Sequence, residues 1–293
     1  MRIALLTHHA TATNLALASS APAGTSCFVL EPAQAPTVLG AGDAVVGRLD
    51  IRRTLDGVED GLMQLDRLES RGLTVLNRSL MLRLAHDKRA TAGALAAASL
   101  PHPQTLALFD ADDALAPPLP FPFVIKPRFG SWGRDVLLVS DRGAYLNALA
   151  ILRRRAWFAA TGAVVQELVP PRGHDLRLVV ACGEVIGAIK RVARRGEWRT
   201  NVALGAARVP VDPPPGACEL ALAAAAAIDG DLVGVDLLPV GPGRYVVLEL
   251  NGAVDFSPEY DPGGDVYATA IGALVRGVNQ ALSPSGQAAA APG

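Results

Sequence analysis

Short apolar runs alternate with helical stretches through the first quarter of the chain, and turn-forming residues separate them. Strands that alternate with helices usually pair in parallel, so this pattern predicts an α/β layer. Helical spacing between the runs predicts helices at residues 14–19 and 58–70. The predicted strands are residues 2–7, 26–30, 44–50 and 73–77.

The middle of the chain opens with a long helical pattern. Residues 77–100 have helical spacing with alanine-rich faces. The prolines of the following LPHPQT end this helix, because each proline biases the residue before it toward extended backbone. A connector rich in proline, alanine and aspartate covers residues 110–122. Beyond it the pattern predicts a helix at 142–158 and a strand at 163–169.

The last third of the chain has an antiparallel pattern. Two apolar runs flank a turn at Cys182–Gly183, and two further runs flank the turn sequence Gly-Pro-Gly, which predicts two hairpins. The segment 283–293 has too little apolar surface to bury and is expected to be disordered. The predicted strands are residues 175–185, 186–194 and the two halves of 232–251, with a helix at 217–228.

Composition narrows the class of protein. Half of the 293 residues are hydrophobic, 19% are charged and the net charge is −1, which fits a folded globular protein. Nonspecific nucleic-acid binding is excluded, because it needs a basic excess. Three cysteines without CxxC spacing indicate a reducing compartment and argue against a disulfide framework or a zinc site. With no apolar run of about 18 residues and no signal-peptide pattern, we expect a cytoplasmic protein without a membrane partner.

One stretch directs a lysine and a flexible turn at the same point. Residues 121–141 read FPFVIKPRFGSWGRDVLLVSD, which places Lys126 at the end of an apolar strand before Gly130, Ser131 and Gly133. Glycines let backbone N–H groups converge on an anion, and a lysine at the base of such a turn adds a point charge for phosphate. A turn of this composition alone is more often an ordinary hairpin, so both interpretations stay open.

The C-terminal hairpin carries oxygen-bearing side chains on facing strands. Glu249 and Asn251 are two residues apart and share a face of one strand, while Asp236 lies on its partner. Carboxylates among apolar neighbours need a cation, and oxygen ligands suit Mg²⁺ completed by substrate phosphates. An ion pair with a nearby arginine is the alternative from spacing alone.

A third candidate site follows the strand at 163–169. Gln166, Glu167 and Leu168 lie at its end, where exposed backbone groups can bind an adenine edge and an apolar neighbour can line the ring. Asp175, beyond the next turn, could accept hydrogen bonds from ribose hydroxyls. Each of these assignments is weak when taken alone.

Taken in order, the segments resemble the ATP-grasp superfamily. Within it the chain is most similar to the carboxylate–amine ligases of the ribosomal-protein-S6-modifying and lysine-biosynthesis (LysW-carrier) type. The resemblance covers residues 77–271, two-thirds of the chain. It depends on Asp-Lys at 87–88, VIKPRFGSWGRDV, VVQELV, GHDLRLVV, AIKRVARRGEWRTN, GVDLL and VLELN.

The resemblance implies a fold and a set of site residues. The expected fold is α/β (α+β), with an N-terminal parallel α/β domain at 1–84, ATP-grasp subdomains at 85–165 and 166–282 that clamp ATP, and a tail at 283–293. It assigns phosphate-transfer roles to Arg177 and Arg191 and Mg²⁺ to Asp236, Glu249 and Asn251. The implied ATP-binding residues are Lys88, Lys126, Gly130, Ser131, Gly133, Gln166, Glu167, Leu168, Asp175, Arg199, Thr200 and Asn201.

The implied activity is an ATP-dependent ligation. An acceptor carboxylate is phosphorylated by ATP with Mg²⁺ or Mn²⁺, two ions being expected, and an amino acid, glutamate, then forms the amide. The acceptor is a small cofactor such as a pterin, or a carrier or protein C-terminus, and the enzyme is expected to be a dimer or tetramer. A kinase that phosphorylates a hydroxyl, and a nucleotide-binding module without catalysis, are the alternatives.

Two departures from the family pattern leave the donor open. Lys190 stands where the S6-modifying enzymes resemble one another in having glutamate. After Asn251 the sequence reads GAVDFSPEY rather than Ala-Ser-Pro-Gly, and this is closer to the lysine-biosynthesis branch. The loop at 252–262 is expected to border the amine-donor site.

Overall fold

Three sheets organise the chain, as described by a computed structural model covering residues 1–111 and 116–283. One sheet is parallel and lies in the N-terminal part, and the other two are antiparallel. This is the predicted mixed α/β architecture. The predicted connector lies partly, and the predicted tail almost wholly, outside the described residues.

The N-terminal domain is a four-stranded parallel sheet in the order β2-β1-β3-β4. All four predicted strands are present, and the predicted parallel pairing is confirmed. Helices α1 and α3 fall inside or across the predicted spans, whereas the short helix α2 was not predicted. The elements are β1 (Arg2–Leu6), α1 (Ala12–Ser19), β2 (Ser26–Leu30), α2 (Ala35–Val38), β3 (Asp43–Gly47), α3 (Leu62–Ser70), β4 (Thr74–Leu76) and α4 (Ser79–His86).

The central subdomain is an antiparallel sheet in the order β5-β8-β6-β7 with two helices on its face. Its core is largely its own, and Phe123, Tyr145 and Trp157 are its large aromatic members. The elements are α5 (Lys88–Ala97), β5 (Thr105–Leu108), β6 (Phe123–Pro127), β7 (Leu137–Val139), α6 (Arg142–Leu152), α7 (Ala156–Thr161) and β8 (Ala163–Glu167).

Two helices predicted as continuous are each broken in two. The stretch 77–100 is interrupted at Asp87, whose extended backbone lets its carboxylate accept from the N–H of Arg89 and cap α5. The same carboxylate pairs with Arg128. The stretch 142–158 is interrupted at 153–155, and the new direction buries Trp157 and Phe158. Periodicity alone does not reveal either break, because both halves keep helical spacing.

The C-terminal subdomain is a five-stranded antiparallel sheet in the order β11-β10-β9-β12-β13. The turn at Cys182–Gly183 and the Gly-Pro-Gly hairpin are both confirmed. The edge strand β11 and the long helix α9 were not predicted. The elements are β9 (His174–Ala181), β10 (Glu184–Val192), β11 (Ala207–Pro210), α8 (Pro215–Ala226), β12 (Leu232–Gly241), β13 (Arg244–Asn251) and α9 (Val266–Leu282).

The N-terminal domain and the C-terminal sheet share their cores. Leu6 and Val45 belong to the same apolar cluster as Leu178 and Val235, so the two layers are packed together through buried side chains. All three cysteines are free. Within residues 1–111 and 116–283, no helix is long and apolar enough to cross a membrane.

Candidate active site

One face of the C-terminal sheet carries charged side chains from strand to strand. Asp236 on β12 is the register partner of Glu249 on β13 and of Arg177 on β9. Cross-strand partners point to the same face of a sheet. Hydrophobic-polar alternation on three neighbouring strands therefore brings the predicted metal ligands beside a predicted phosphate-transfer residue.

The same face continues toward the sheet edge. Arg191 on β10 is the register partner of Asp175 on β9 and of Arg208 on β11. Its Nε donates to Asp175 Oδ1 over 2.8 Å, and its Nη2 donates to Asp236 Oδ2 over 2.7 Å. Thr200 Oγ1 donates to the other oxygen of Asp175 over 2.5 Å. The result is a continuous ion-pair network across the sheet.

Asp236 is the centre of this network. Its side chain is paired by Arg177, whose Nε and Nη2 donate to the two carboxylate oxygens over 2.6 and 2.7 Å. Burial by itself would raise the pKa of Asp236, but the charges and hydrogen bonds of Arg177 and Arg191 hold it below its ordinary value. The carboxyl is therefore ionised and fixes both guanidinium groups in position.

Both predicted carboxylate ligands already have cationic side chains as partners. Asp236 pairs with two arginines, which is the alternative that the spacing left open, and Glu249 Oε2 lies 3.3 Å from Lys88 Nζ. Buried carboxylates with cationic partners do not by themselves require a metal ion. A metal role must be supported by other features of the site.

Two lysines lie at the base of the glycine-rich turn. Lys88 opens α5, and its Nζ donates to Gly130 O over 2.6 Å. Lys126 ends β6 with only 6% exposure, and its Nζ donates to Gln166 Oε1 over 2.7 Å. Burial, and to a lesser extent the charge of Lys88, lower the pKa of Lys126 to about 8 against the opposing charges of Glu249 and Asp236. The free site therefore has a deficit of negative charge around Lys126.

The turn between β6 and β7, residues 130–133, forms a lid over these lysines. Arg199 Nη1 donates to Gly133 O over 3.0 Å, which ties the lid to the C-terminal subdomain. Gly133 has φ +69, and a Cβ there would lie 2.7 Å from Asn201 Oδ1. Ser131 Oγ is buried and has no hydrogen-bond partner among the residues described. A buried hydroxyl of this kind needs a ligand or water to bond to.

Under the lid a cleft runs between the sheet of the central subdomain and that of the C-terminal subdomain. Its inner end is lined by both lysines and Glu249, and its outer end by the β8 linker, where Leu168 and Pro170 contribute apolar surface. Exposed backbone beside apolar side chains fits a planar heterocycle. Gln166, Glu167 and Leu168 line this cleft, and we call it the nucleotide cleft after the ATP-binding role that the resemblance implies for them.

The sequence analysis missed several apolar residues of the nucleotide cleft, among them Val124, Leu238 and Leu248. Val124 is two residues before Lys126 and therefore lies on the same face of β6, so strand alternation could have identified it. Leu248 precedes Glu249 and should point the other way. A bulge between the Asp236 and Leu237 pairs shifts the register so that both residues reach the cleft. Alternation cannot reveal a bulge.

A second cavity, of about 310 Å³, adjoins the inner end of the nucleotide cleft. The two share Lys88, the lid and Glu249. Three of the predicted site residues, Arg177, Arg191 and Asn251, line this second cavity, which we call the substrate cavity. It is also lined by groups that the sequence analysis missed, namely Asp50, Arg208, Asp255 and Tyr260. The missed groups lie on loops and on an edge strand, where no periodic pattern marks them.

The predicted residues are thus brought together with two exceptions. Asp236 and Asp175 line neither cavity, because the arginines cover them. Asp175 has 0% exposure, and its oxygens accept from Arg191 and Thr200. A direct bond from Asp175 to a ribose would require these contacts to rearrange.

The oxygen ligands nevertheless fit a divalent ion. Glu249 Oε1 accepts no hydrogen bond from any residue that the structure describes, and Asn251 Oδ1 accepts one, from Ala253 N at 3.0 Å. Asp236 Oδ1 also accepts only one, from Arg177. Free lone pairs on hard oxygen atoms beside a phosphate-sized space suit Mg²⁺, which needs few protein ligands. Clusters of three or more His, Cys, Asp or Glu side chains are absent from the described parts of the chain.

Comparison with known proteins agrees with this geometry. Residues 85–266 match the family model of the RimK-like ATP-grasp domain. The glutamate–LysW ligase ArgX of Sulfurisphaera tokodaii is 30% identical over 194 residues, which are 64% of this chain and 68% of that protein. A probable alpha-L-glutamate ligase of Haemophilus ducreyi is 30% identical over 220 residues, 74% of this chain and 69% of that one.

Solved structures support the fold. The RimK domain ATP-grasp protein of Sphaerobacter thermophilus DSM 20745 superposes with a TM-score of 0.68 at 24% identity, covering 94% of this chain and 100% of that one. The fold match includes the N-terminal sheet, which lies outside the matched family model. The chain belongs to the RimK-like ATP-grasp family and is an ATP-dependent carboxylate–amine ligase.

Proposed function

We propose that the protein joins glutamate to an acceptor carboxylate through an acylphosphate. An acceptor oxygen attacks the γ-phosphorus of ATP, the bond to the β–γ bridging oxygen breaks, and ADP leaves. The amine of glutamate then attacks the acyl carbon, loses a proton, and expels phosphate as the C–O bond breaks. The choice of glutamate is supported by the names of two relatives, a glutamate–LysW ligase and a probable alpha-L-glutamate ligase.

The observation that carries this proposal is the pair of lysines beneath the lid. Lys88 and Lys126 lie close enough for the charge of one to lower the pKa of the other, and both are largely shielded from solvent. A triphosphate would supply the missing negative charge and give Ser131 Oγ an acceptor. Transfer of a phosphoryl group depends mainly on such positioning and charge neutralisation.

Arg177 and Arg191 line the substrate cavity, where Asp236 holds both guanidinium groups in place. Asp236 accepts hydrogen bonds from Nε and Nη2 of Arg177, while Nη1 of Arg177 donates to none of the residues described. We assign this free N–H group to the phosphoryl oxygens and to the oxyanion of the tetrahedral intermediate. A donor fixed before the reaction needs no reorganisation during it, and such donors lower the barrier most.

Glu249 and Asn251 would hold Mg²⁺, which neutralises charge on the phosphates when bound. Asp236, the third ligand that the resemblance implies, pairs with Arg177 and Arg191 and lines neither cavity, so it would become a ligand only if these contacts rearranged. Mn²⁺ as a substitute, and a second ion, stay predictions of the family resemblance. The lid excludes water from the acylphosphate, since Lys88 and Arg199 bind its backbone from both sides. Assembly into a dimer or tetramer is likewise a prediction.

The acceptor carboxylate would lie beside Arg177 in the substrate cavity. Two relatives carry LysW in their names, so an acceptor on a small carrier protein is one form of the proposal. A small carboxylate such as a pterin cofactor is the other form. Both present the same chemical group, and both would be phosphorylated at the same place.

Hydroxylamine trapping tests the proposal. The protein is incubated with ATP, Mg²⁺ and a panel of carboxylate acceptors, with hydroxylamine in place of the amino acid. We expect an ATP-dependent acyl hydroxamate, seen by mass spectrometry. A phosphorylated product that is stable to hydroxylamine and forms without any amine would contradict the proposal and favour a kinase.

A further inference from the structure

Asp87 and Arg128 lie beside the two lysines of the nucleotide cleft in the sequence, yet neither of them lines the cleft or the substrate cavity. Asp87 directly precedes Lys88, and Arg128 lies two residues after Lys126. The side chains of Asp87 and Arg128 form an ion pair. This pair therefore joins the two chain segments that carry the lysines.

Two hydrogen bonds join the carboxylate to the guanidinium group. Arg128 Nε donates to Asp87 Oδ1 over 3.2 Å, and Arg128 Nη2 donates to Asp87 Oδ2. The third nitrogen, Nη1, donates over 3.0 Å to the carbonyl oxygen of Thr161 at the end of α7. Both side chains are mostly shielded from solvent, with exposures of 12% for Asp87 and 19% for Arg128. A two-point pair of this kind fixes orientation as well as distance.

The backbone is joined at the same place. Lys88 N donates to the carbonyl oxygen of Arg128 over 3.1 Å. Asp87 Oδ1 also accepts from Arg89 N over 3.1 Å and so caps α5. The start of α5 is therefore tied to the end of β6 through both the main chain and side chains.

The two lysines need such a tie because their charges repel. Burial lowers the pKa of Lys126 most, and the charge of Lys88 lowers it further. Lys88 is also the first residue of α5, where the positive end of the helix dipole disfavours a cation. Their own partners, Glu249 for Lys88 and Gln166 for Lys126, lie on different strands and do not link the two lysine segments to each other. The Asp87 carboxylate offsets the helix dipole and supplies that link.

We propose that the Asp87–Arg128 pair sets the separation of Lys88 and Lys126, so that both ammonium groups reach the same triphosphate. The inference rests on the proposed function, because it takes these lysines as the phosphate-binding groups. Asp87 and Arg128 are thus positioning residues, each acting through the lysine beside it. The extended backbone at Asp87, which separates α4 from α5, places its carboxylate against Arg128.

The opposite charges of the pair distinguish positioning from a simple effect of charge. If the two groups acted on the phosphates only through space, loss of the Arg128 charge would weaken nucleotide binding and loss of the Asp87 charge would strengthen it. If they act by fixing the lysines, loss of either charge leaves its partner unpaired and frees the lysines to move. Both changes then weaken binding, so the direction of the Asp87 effect decides between the two.

Calorimetry with two ligands measures this effect. The full chain is titrated with AMP-PNP in the presence of Mg²⁺, and separately with adenosine, which has no phosphate. Asp87→Asn removes the charge but keeps a side-chain oxygen that can cap α5. We expect Asp87→Asn and Arg128→Gln each to weaken AMP-PNP about 5- to 20-fold and adenosine by less than about twofold, because only the phosphate contacts are displaced.

Arg89→Gln is the matched control. It removes a positive charge from the residue after Lys88, where the exposed guanidinium lies over the Phe109 ring and not against Asp87. Since exposed charges are screened by salt, both affinities should stay within about twofold of wild type.

Arg128→Lys keeps the test decisive if a neutral variant does not fold. It retains a cation at this position but cannot form the two parallel hydrogen bonds of a guanidinium group. We expect it to lose AMP-PNP affinity while adenosine affinity is unchanged. Adenosine affinity shows for each variant that the outer end of the cleft is intact.

The outcomes separate this inference from the proposed function. If either neutral variant keeps or improves its AMP-PNP affinity, the inference is overturned and the proposed function stands. An equal loss of adenosine and AMP-PNP affinity also overturns it, since the pair would then support the cleft as a whole rather than the lysines. Failure of wild type to bind AMP-PNP with Mg²⁺ contradicts the proposed function itself.

Discussion

The nucleotide cleft and the substrate cavity meet at Lys88 and Glu249, but they are built differently. The cleft is lined by residues 88–249, all within the family match, and its outer half is apolar. The cavity takes Asp50 from the N-terminal domain, Arg208 from an edge strand and Asp255 from a loop. Strands thus supply most of the inner end of the cleft, whereas loops and an edge strand from two parts of the chain supply much of the cavity.

Lysine usage shows the same contrast. The chain has only three lysines against 24 arginines among its 27 basic residues. Two of them, Lys88 and Lys126, line the nucleotide cleft, and the third, Lys190, lines neither cavity. Arginine provides the bidentate geometry that carboxylates need, and lysine provides a compact charge for phosphate. Two of the three lysines thus lie at the inner end of the nucleotide cleft, which Arg134, Arg172 and Arg199 also line.

Replacing Lys126 should have the largest effect. We expect Lys126→Met to lower the rate of ATP-dependent hydroxamate formation by about 10³-fold, because a fixed charge at the phosphate is lost. Lys190→Met is the matched control and should retain the wild-type rate. Equal rates in the two variants would contradict a phosphate-binding role for Lys126.

Replacing Glu249, which lines both cavities, should have the next largest effect. Glu249→Gln should lower turnover by about 10²-fold, with a smaller loss of nucleotide affinity measured by calorimetry. Its control is Glu184→Gln, which only breaks an exposed pair with Arg276. A Glu249→Gln enzyme with an unchanged Mg²⁺ dependence of rate would contradict the metal role.

Much of the nucleotide cleft could be predicted from sequence. Lys126, the glycines after it and the Glu249–Asn251 pair each lie in a strand or at its end, where period-two alternation fixes the side-chain face. The order of these segments then identified the family. Local patterns were sufficient because each of these parts lies on one continuous element.

The substrate cavity could not be predicted in the same way. Tyr260 and Asp255 lie on a loop, and Arg208 lies on an edge strand too short for a clear pattern. Asp50 reaches the site only because the N-terminal layer packs on the C-terminal sheet. An arginine partner for Asp236 was left open as an alternative, but which arginines pair with it could not be predicted, since this depends on the strand order β10-β9-β12.

A substitution in the lid tests whether turnover requires the close packing of Gly133 against Asn201. Gly133→Ala should lower turnover by about tenfold, because the residue has φ +69 and its new Cβ would press on Asn201. Gly196→Ala is the matched control, because Gly196 also has a positive φ (+84) but a Cβ there would meet no neighbouring atom. If both variants lose the same activity, backbone strain rather than lid closure is responsible.

The smallest effect concerns pH. The pKa of Lys126 is lowered from 10.5 to about 8 in the free protein, and bound phosphates should raise it again. Nucleotide binding then takes up a proton, so AMP-PNP affinity should fall as the pH rises through 8, by a factor of at most about ten per pH unit. Calorimetry in buffers of different ionisation enthalpy measures this uptake. Lys126→Arg, which stays charged, should remove it.

Stability of the free protein should follow the opposite trend. Between about pH 8 and pH 10.5 the unfolded lysine keeps a proton that the folded Lys126 has lost. The free energy of unfolding contributed by this group therefore rises with pH over that window. Urea titrations at several pH values give the free energy of unfolding of wild type and of Lys126→Met. Between pH 8 and pH 10.5 this free energy should rise more steeply with pH in wild type, and parallel pH dependences would contradict the lowered pKa.

The most direct test of the account is a crystal structure of the protein with AMP-PNP and Mg²⁺. The account predicts the adenine against Leu168, the γ-phosphate between Lys88 and Arg177, and the ion on Glu249 and Asn251. The substrate cavity beyond Arg177 should stay free of nucleotide. A triphosphate that enters this cavity, or lies away from both lysines, would contradict the division of the site into a nucleotide end and a substrate end.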